Sequence, residues 1–70
     1  MSIKWGIIGL GNIAHQFIQD LQLVEGTSCH AVASRTLDKA SDFTNQYQVT
    51  KAYGSYAELT MDPQVDIIYI

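Results

Sequence analysis

Three small residues that follow an apolar run near the start of the chain constrain its fold more than any other feature. Gly9, Gly11 and Ala14 have the spacing G-x-G-x-x-(G/A) and come directly after the run Ile3–Ile8. In the dinucleotide-binding fingerprint, the first residue allows a tight turn, the second lets a pyrophosphate approach the backbone, and the third lets a helix pack near the sheet. The spacing therefore predicts a strand, a phosphate-binding turn and a helix N-terminus whose free N–H groups and positive dipole attract an anion.

Beyond the glycines, segments with apolar residues at helical spacing alternate with short strand-like runs. The polar residues 25–28 break the first helix, Ser55 and Glu58 have the spacing of a capping box, and Pro63 cannot continue the helix before it. The predicted elements after the first strand are a helix ending near Leu23, a strand over residues 29–34, a helix capped by Thr36 with apolar positions Leu37, Ala40, Phe43 and Tyr47, a strand over residues 50–53, a helix from Tyr56 to about Met61, and a strand over residues 65–70.

This order, βαβαβαβ, predicts an α/β, Rossmann-like parallel sheet, because each connection is long enough for a crossover. Right-handed crossovers give the strand order 3-2-1-4, with the first strand central. Seventy residues make at most one small domain, and the sequence stops on an apolar run without a cap or turn. We therefore expect residues 1–70 to be the truncated N-terminal part of a dinucleotide-binding domain.

Composition favours a small-molecule partner. The formal net charge is −3, and the four Lys and Arg residues are dispersed, which argues against nucleic acid and membrane surfaces. Cys29 is the single cysteine, so an internal disulfide is excluded and we expect a cytoplasmic location. The five-residue apolar stretch near the N-terminus is too short for a signal peptide or a membrane span. Two histidines and one cysteine without ligand spacing predict no metal site.

The end of the second strand indicates which dinucleotide is bound. An acidic residue about 20 positions past the glycines usually accepts hydrogen bonds from the ribose hydroxyls of NAD, but this chain has Ser34 and Arg35 there and no acid between Thr27 and Leu37. Arg35 can form charge-assisted bonds with a 2′-phosphate, which a carboxylate would repel. The alternative is that Arg35 is a solvated residue at a helix start, a position that the helix dipole makes unfavourable for a cation. We predict NADP, with NAD possible.

The remaining candidate residues are assigned backbone or packing roles. Asn12 and Ile13 are expected to act through their backbone N–H groups at the pyrophosphate. His15 is interpreted as an ordinary, partly exposed helix residue rather than a phosphate ligand. Tyr69 lies near the ligand-binding edge and could approach the nicotinamide, but a role in the strand core is favoured. The residues interpreted as packing residues are Cys29, His30, Tyr47, Tyr53 and Tyr56.

Several segments together resemble the glucose–fructose oxidoreductase/inositol dehydrogenase/rhizopine-catabolism (Gfo/Idh/MocA) family. Ser34 and Arg35 are similar to the pair in NADP-using, dihydrodiol dehydrogenase-like members. The matching segments are residues 4–14, 33–36 with Lys39, Ala40 and Phe43, 52–56 with Glu58 and Leu59, and 62–63 with Val65, Asp66 and residues 68–70. Those after the glycines are the more specific ones, because other Rossmann enzymes do not share them.

The resemblance implies a two-domain oxidoreductase that passes hydride between a nicotinamide and the CH–OH group of a sugar, cyclitol or related polyol. Its C-terminal domain covers the substrate and commonly mediates homo-oligomerisation, and the catalytic lysine of a Glu-Lys-Pro-like motif falls beyond Ile70. No catalytic residue can be assigned in this sequence. The cofactor-binding residues that carry over are Gly9, Gly11, Asn12, Ile13, Ser34 and Arg35.

Two other functions are compatible with the same glycine turn. A non-enzymatic NADP-sensing or scaffold protein could retain the Rossmann part without the chemistry, and the presence of the downstream lysine motif would discriminate against it. An S-adenosylmethionine methyltransferase also uses a glycine loop after its first strand, but it requires the ribose-binding acid that is absent here.

Overall fold

The fold alternates strands and helices in the predicted order. In the computed structural model, residues 3–70 are described, and they form seven elements. These are β1 (Ile3–Ile8), α1 (Asn12–Leu21), β2 (Thr27–Ala33), α2 (Leu37–Tyr47), β3 (Lys51–Tyr53), α3 (Tyr56–Thr60) and β4 (Ile67–Tyr69). The strands form one sheet in the order β3-β2-β1-β4, and every pair is parallel. The α/β class, the strand order and the central position of β1 are therefore confirmed.

Both faces of the central strands are buried. Alternate residues of a strand point to opposite faces of the sheet, so Ile7 and Val32 pack in a cluster with α1 and α2. Ala31 and Ala33 pack on the opposite face around Leu59 of α3. Helices on both faces explain why these strands read as almost continuous apolar runs.

Gly6 allows the α3 layer to lie close to β1. A Cβ at this position would lie 2.9 Å from Cδ2 of Leu59 and 3.0 Å from Cγ1 of Val65. Both distances are shorter than ordinary carbon–carbon contacts. Any larger residue at position 6 therefore has to displace two packed side chains.

The connection between α1 and β2 differs from the prediction. α1 ends at Leu21, about two residues before the predicted end, and β2 begins at Thr27 rather than at residue 29. The single hydroxyl proton of Thr27 is shared between the carbonyls of Val24, at 2.9 Å, and Leu21, at 3.2 Å, both of which lie at the end of the helix or just beyond it. The backbone of Thr27 also pairs with Ile3. Pairing with β1 therefore outweighs the polar character of residues 27 and 28.

Two predicted packing positions on the later helices are wrong. Leu37, in the first turn of α2, is 55% exposed, and Tyr56, in the first turn of α3, is 37% exposed. Both residues begin a helix, and neither belongs to the hydrophobic clusters on the two faces of the sheet.

Of the two predicted helix caps, the structure confirms the one on α3 but shows no side-chain hydrogen bond for the one on α2. Thr36 occupies the N-cap of α2 but its side chain makes no capping hydrogen bond. Ser55 caps α3 as predicted, since its Oγ accepts from the N–H of Glu58 at 3.3 Å.

The last strand is shorter than predicted. β4 covers Ile67–Tyr69 rather than residues 65–70, because the N–H of Val65 is used in a turn, where it donates to the carbonyl of Asp62 at 3.2 Å. Within residues 3–70, none of the helices has the length and apolar character needed to cross a membrane.

Candidate cofactor-binding site

A groove of about 490 Å³ opens at the carboxyl edge of the sheet, where β1 turns into α1 and β4 ends. Open α/β sheets bind ligands at this edge. Four of the six residues predicted to bind a cofactor line the groove. The lining consists of Gly9, Gly11, Asn12, Ile13, Ala14, Tyr69 and Ile70.

The two glycines of the turn are needed for different reasons. Gly9 has φ +85°, a conformation that residues with a Cβ rarely adopt. Its N–H donates to the carbonyl of Ala33 at 3.3 Å, which ties the turn to the end of β2. Gly11, the N-cap of α1, has an ordinary φ of −91°, and a Cβ there would have no atom within 4 Å. Gly11 therefore keeps space open in front of the backbone, which is the condition that a closely approaching phosphate requires.

The first turn of α1 presents free hydrogen-bond donors to this space. The carbonyl of Gly11 accepts from Ala14 and His15, whereas no hydrogen bond among residues 3–70 uses the backbone N–H groups of Asn12 and Ile13. The first turn contains no side-chain cap and no acidic residue. Two unpaired donors at the positive end of a helix dipole suit an anionic ligand.

Ser34 and Arg35 lie at the same edge but outside the groove. They follow β2, whose last carbonyl binds Gly9, and the N–H of Ser34 donates to the carbonyl of Tyr53 at 3.1 Å. Ser34 is only 6% exposed. Arg35 is exposed and forms no ion pair with any other residue in 3–70. The guanidinium is therefore the more accessible of the two predicted ligand groups.

His15, on α1, packs against α2. Its Nδ1 lies 2.7 Å from the hydroxyl of Tyr47, and its ring packs on Phe43 with centroids 4.8 Å apart. His15 is thus a half-buried packing residue. No local sequence pattern indicates this hydrogen bond, because its partners are 32 residues apart.

A cluster of titratable side chains joins β2, β3 and the turn after α3. Oδ2 of Asp62 accepts a hydrogen bond from the Tyr53 hydroxyl at 2.7 Å and lies 3.4 Å from Nε2 of buried His30, without hydrogen-bond alignment. Oδ1 accepts from the N–H of Gln64 at 2.9 Å. The Gln64 and Tyr53 bonds lower the pKa of Asp62, and the bond to Asp62 raises the pKa of Tyr53. Sequence reasoning placed Tyr53 and His30 in the core but missed Asp62.

Cys29 packs against the α1 and α2 cluster, as predicted. Burial raises the pKa of its thiol to about 12, so the thiol stays protonated at neutral pH. Within residues 3–70, no three His, Cys, Asp or Glu side chains are grouped closely enough to hold a metal ion.

Comparison with known proteins identifies the family. The sequence model of the GFO_IDH_MocA oxidoreductase family, described as having an NAD-binding Rossmann fold, matches residues 3–70. The chain therefore belongs to this family, as the resemblance predicted.

Its relatives include dehydrogenases and a ketoreductase. The chain is 40% identical over 72 residues to the trans-1,2-dihydrobenzene-1,2-diol dehydrogenases of Xenopus tropicalis and of Homo sapiens, and it spans 22% of the length of each. Among solved structures, a 3-ketoreductase from Actinomadura kijaniata in complex with TDP-benzene and NADP superposes with a TM-score of 0.93 at 30% identity, over 100% of this chain and 22% of that one. A myo-inositol dehydrogenase from Lactobacillus casei, 24% identical with a TM-score of 0.87, shares the fold.

Proposed function

We propose that this chain is the N-terminal part of the NADP-binding domain of an oxidoreductase. The enzyme would transfer hydride between the nicotinamide and the CH–OH group of a sugar, cyclitol or related polyol. The observation that carries the proposal is the pairing of free N–H donors in the glycine groove with an exposed, unpaired Arg35 at the same edge. Two relatives support the proposal. The Actinomadura ketoreductase is described in complex with NADP, and the name of the dihydrodiol dehydrogenases specifies a ring diol.

In this proposal the groove binds the pyrophosphate. The N–H groups of Asn12 and Ile13 have no competing acceptor among the described residues, so they are available to donate to phosphate oxygens. The absence of a side chain at Gly11 lets those oxygens approach, and Gly9 holds the turn in the required shape. No carboxylate lies in the first turn of α1 to repel the anion.

Arg35 distinguishes the two nicotinamide dinucleotides. A guanidinium can make two parallel, charge-assisted hydrogen bonds to the 2′-phosphate of NADP. The nearby Ser34 is buried, so it contributes less than its sequence position predicts. No carboxylate lies between Thr27 and Leu37 to accept hydrogen bonds from the ribose hydroxyls of NAD, so NAD is the weaker ligand.

The described residues bind and orient the cofactor rather than perform proton transfer. Bound NADP supplies hydride chemistry, which requires its reactive carbon to be held against the substrate carbon. We assign the proton-transferring groups, the substrate contacts and any homo-oligomer contact to the C-terminal domain that the family resemblance implies.

Titration with NADPH and NADH tests the proposal, using fluorescence of the intact protein. We expect wild type to prefer NADPH, and Arg35→Asp to reduce the NADPH:NADH affinity ratio about 10- to 100-fold, because a hydrogen bond to a charged group contributes about 1.5–3 kcal/mol. Lys51→Asp makes the same charge change in β3 and should leave the ratio unchanged.

Two results would refute the proposal. An unchanged ratio in Arg35→Asp would remove the 2′-phosphate assignment. If the folded wild-type protein bound neither dinucleotide at millimolar concentration, about −4 kcal/mol of binding free energy, the cofactor site itself would be wrong.

A further inference from the structure

The groove has an apolar wall that the pyrophosphate contacts leave unused. Tyr69 and Ile70 line it from β4 and the residue after it, and Ile13 lines it from the first turn of α1. The Ile13 side chain is 71% exposed at this position, so it adds apolar surface to the groove. Apolar and aromatic side chains suit a planar ring better than an anion.

The strand order places this wall and Arg35 on opposite sides of the glycine turn. β2 and β4 flank β1 on either side, Arg35 follows β2, and Tyr69 is the last residue of β4. A dinucleotide with its 2′-phosphate at Arg35 and its pyrophosphate at the N-terminus of α1 must extend its other half toward β4. The half that reaches Tyr69 is therefore the one that carries the nicotinamide.

The ring of Tyr69 is held by two elements. It lies parallel to the ring of Phe17, with centroids 4.0 Å apart and an interplanar angle of 5°, and its backbone pairs with Ile7 of β1. The rings of Phe17 and Trp5 in turn pack in an edge-to-face arrangement, with centroids 5.2 Å apart. Because Phe17 belongs to α1, the stack connects the wall to the helix that presents the phosphate-binding N–H groups.

We propose that Tyr69 contacts the nicotinamide end of the bound cofactor and sets the affinity for that half, and that Phe17 is the positioning residue that holds the Tyr69 ring. This inference rests on the proposed function and deepens it, since it assigns a ligand group to the β4 side of the same groove. The sequence alone favours packing of Tyr69 in the strand core. The structure gives Tyr69 both a packing partner and a place in the groove wall.

The test compares two ligands that differ at the nicotinamide ring. NADPH carries the ring, and 2′-phospho-ADP-ribose lacks it while keeping the 2′-phosphate and the pyrophosphate. In the intact protein, we expect Tyr69→Leu to weaken NADPH about 3- to 10-fold, the range expected for loss of one aromatic contact. The same variant should bind 2′-phospho-ADP-ribose with nearly wild-type affinity.

Three controls separate a ligand contact from general loosening of the fold. Tyr69→Phe retains the ring and the stack on Phe17 and should keep the affinities for both ligands near wild type. This variant can still be measured if Tyr69→Leu does not fold. Phe17→Leu should weaken NADPH in the same selective manner. Tyr56→Leu changes an exposed tyrosine on α3, outside the groove, and should have no effect.

The outcomes distinguish this inference from the proposed function. If wild type binds NADPH and Tyr69→Leu binds it equally well, or loses both ligands to the same extent, the inference is wrong and the cofactor site stands. Loss of NADPH affinity in Tyr69→Phe would show that the hydroxyl, not the ring, is responsible, and would overturn the assigned role of the Tyr69 ring and of Phe17. If wild type binds neither dinucleotide, the proposed function fails and the inference fails with it.

Discussion

Replacing Gly11 by alanine should weaken cofactor binding strongly without unfolding the protein. The backbone at this position, φ −91° and ψ −168°, is accessible to alanine, and the added Cβ would have no neighbour within 4 Å. Reduced freedom of the unfolded chain favours alanine by about 0.4–1 kcal/mol, whereas glycine is the better N-cap. These small effects oppose each other, so the free energy of unfolding without ligand should change by less than about 1 kcal/mol.

The substitution should instead lower the affinity for the ligand. The new methyl group occupies the space in front of the Asn12 and Ile13 N–H groups, and it prevents a phosphate oxygen from approaching them. Losing one hydrogen bond to a charged group costs about 1.5–3 kcal/mol, so the Kd for NADPH should rise about 10- to 100-fold.

Gly6→Ala is the matched control, because it makes the same chemical change in a buried strand. Its Cβ would lie 2.9 Å and 3.0 Å from side-chain carbons of Leu59 and Val65. Overpacking of this kind typically costs about 1–3 kcal/mol of stability. Gly6 does not line the groove, so the affinity of the folded variant for NADPH should be preserved.

Thermal unfolding with and without NADPH measures both effects. At a ligand concentration 100 times the wild-type Kd, binding stabilises the native state by about 2.7 kcal/mol. A Kd raised 100-fold reduces this to about 0.4 kcal/mol, so the melting temperature of Gly11→Ala should respond little to NADPH. Gly6→Ala should melt at a lower temperature than wild type but show the full ligand-induced increase.

The reasoning fails if Gly11→Ala retains the wild-type response to NADPH, because the open space at that residue would then not be the phosphate site. It also fails if the two variants lose equal stability without ligand, since the contrast between open and crowded Cβ positions would be wrong.

Two further predictions concern titratable groups outside the groove. Because the native-state pKa of Asp62 is lowered, its hydrogen bonds stabilise the fold above the ordinary carboxyl pKa, and this stability is lost as the pH falls through the native-state pKa. Tyr53→Phe, which removes one of these bonds, should therefore lower the melting temperature more at pH 7 than at about pH 3, and equal losses at both would contradict the assignment. With its pKa raised to about 12, Cys29 should react with iodoacetamide at neutral pH at least about 100-fold more slowly in the folded than in the urea-unfolded protein; comparable labelling rates would contradict its burial.

Local patterns predicted the elements well because each depends on residues that are close in sequence. Short apolar runs identified the strands, helical spacing identified α1 and α2, and the capping box at Ser55 identified the start of α3. Element ends were less predictable. Thr27 reads as part of a polar break, but its backbone pairs with Ile3, which is 24 positions away, and its side chain bonds carbonyls at the end of α1.

Some residues of the candidate site were also predictable from the local sequence, and others were not. Gly9 and Gly11 are recognisable from their spacing alone, since the turn they make is a property of the local backbone. Tyr69 is not, because only packing on Phe17, from an earlier helix, places its ring at the groove.

The sequence by itself therefore determined the fold class, the glycine turn between β1 and α1 and the absence of an acidic residue near Arg35, all of which follow from short-range patterns. Only the tertiary structure decided which side chains face the groove, that Ser34 is buried while Arg35 is exposed, and that Asp62 joins Tyr53 and His30. The physical reason is that burial and side-chain hydrogen bonding depend on which distant segments the sheet brings together, and residue spacing along the chain carries little information about those contacts.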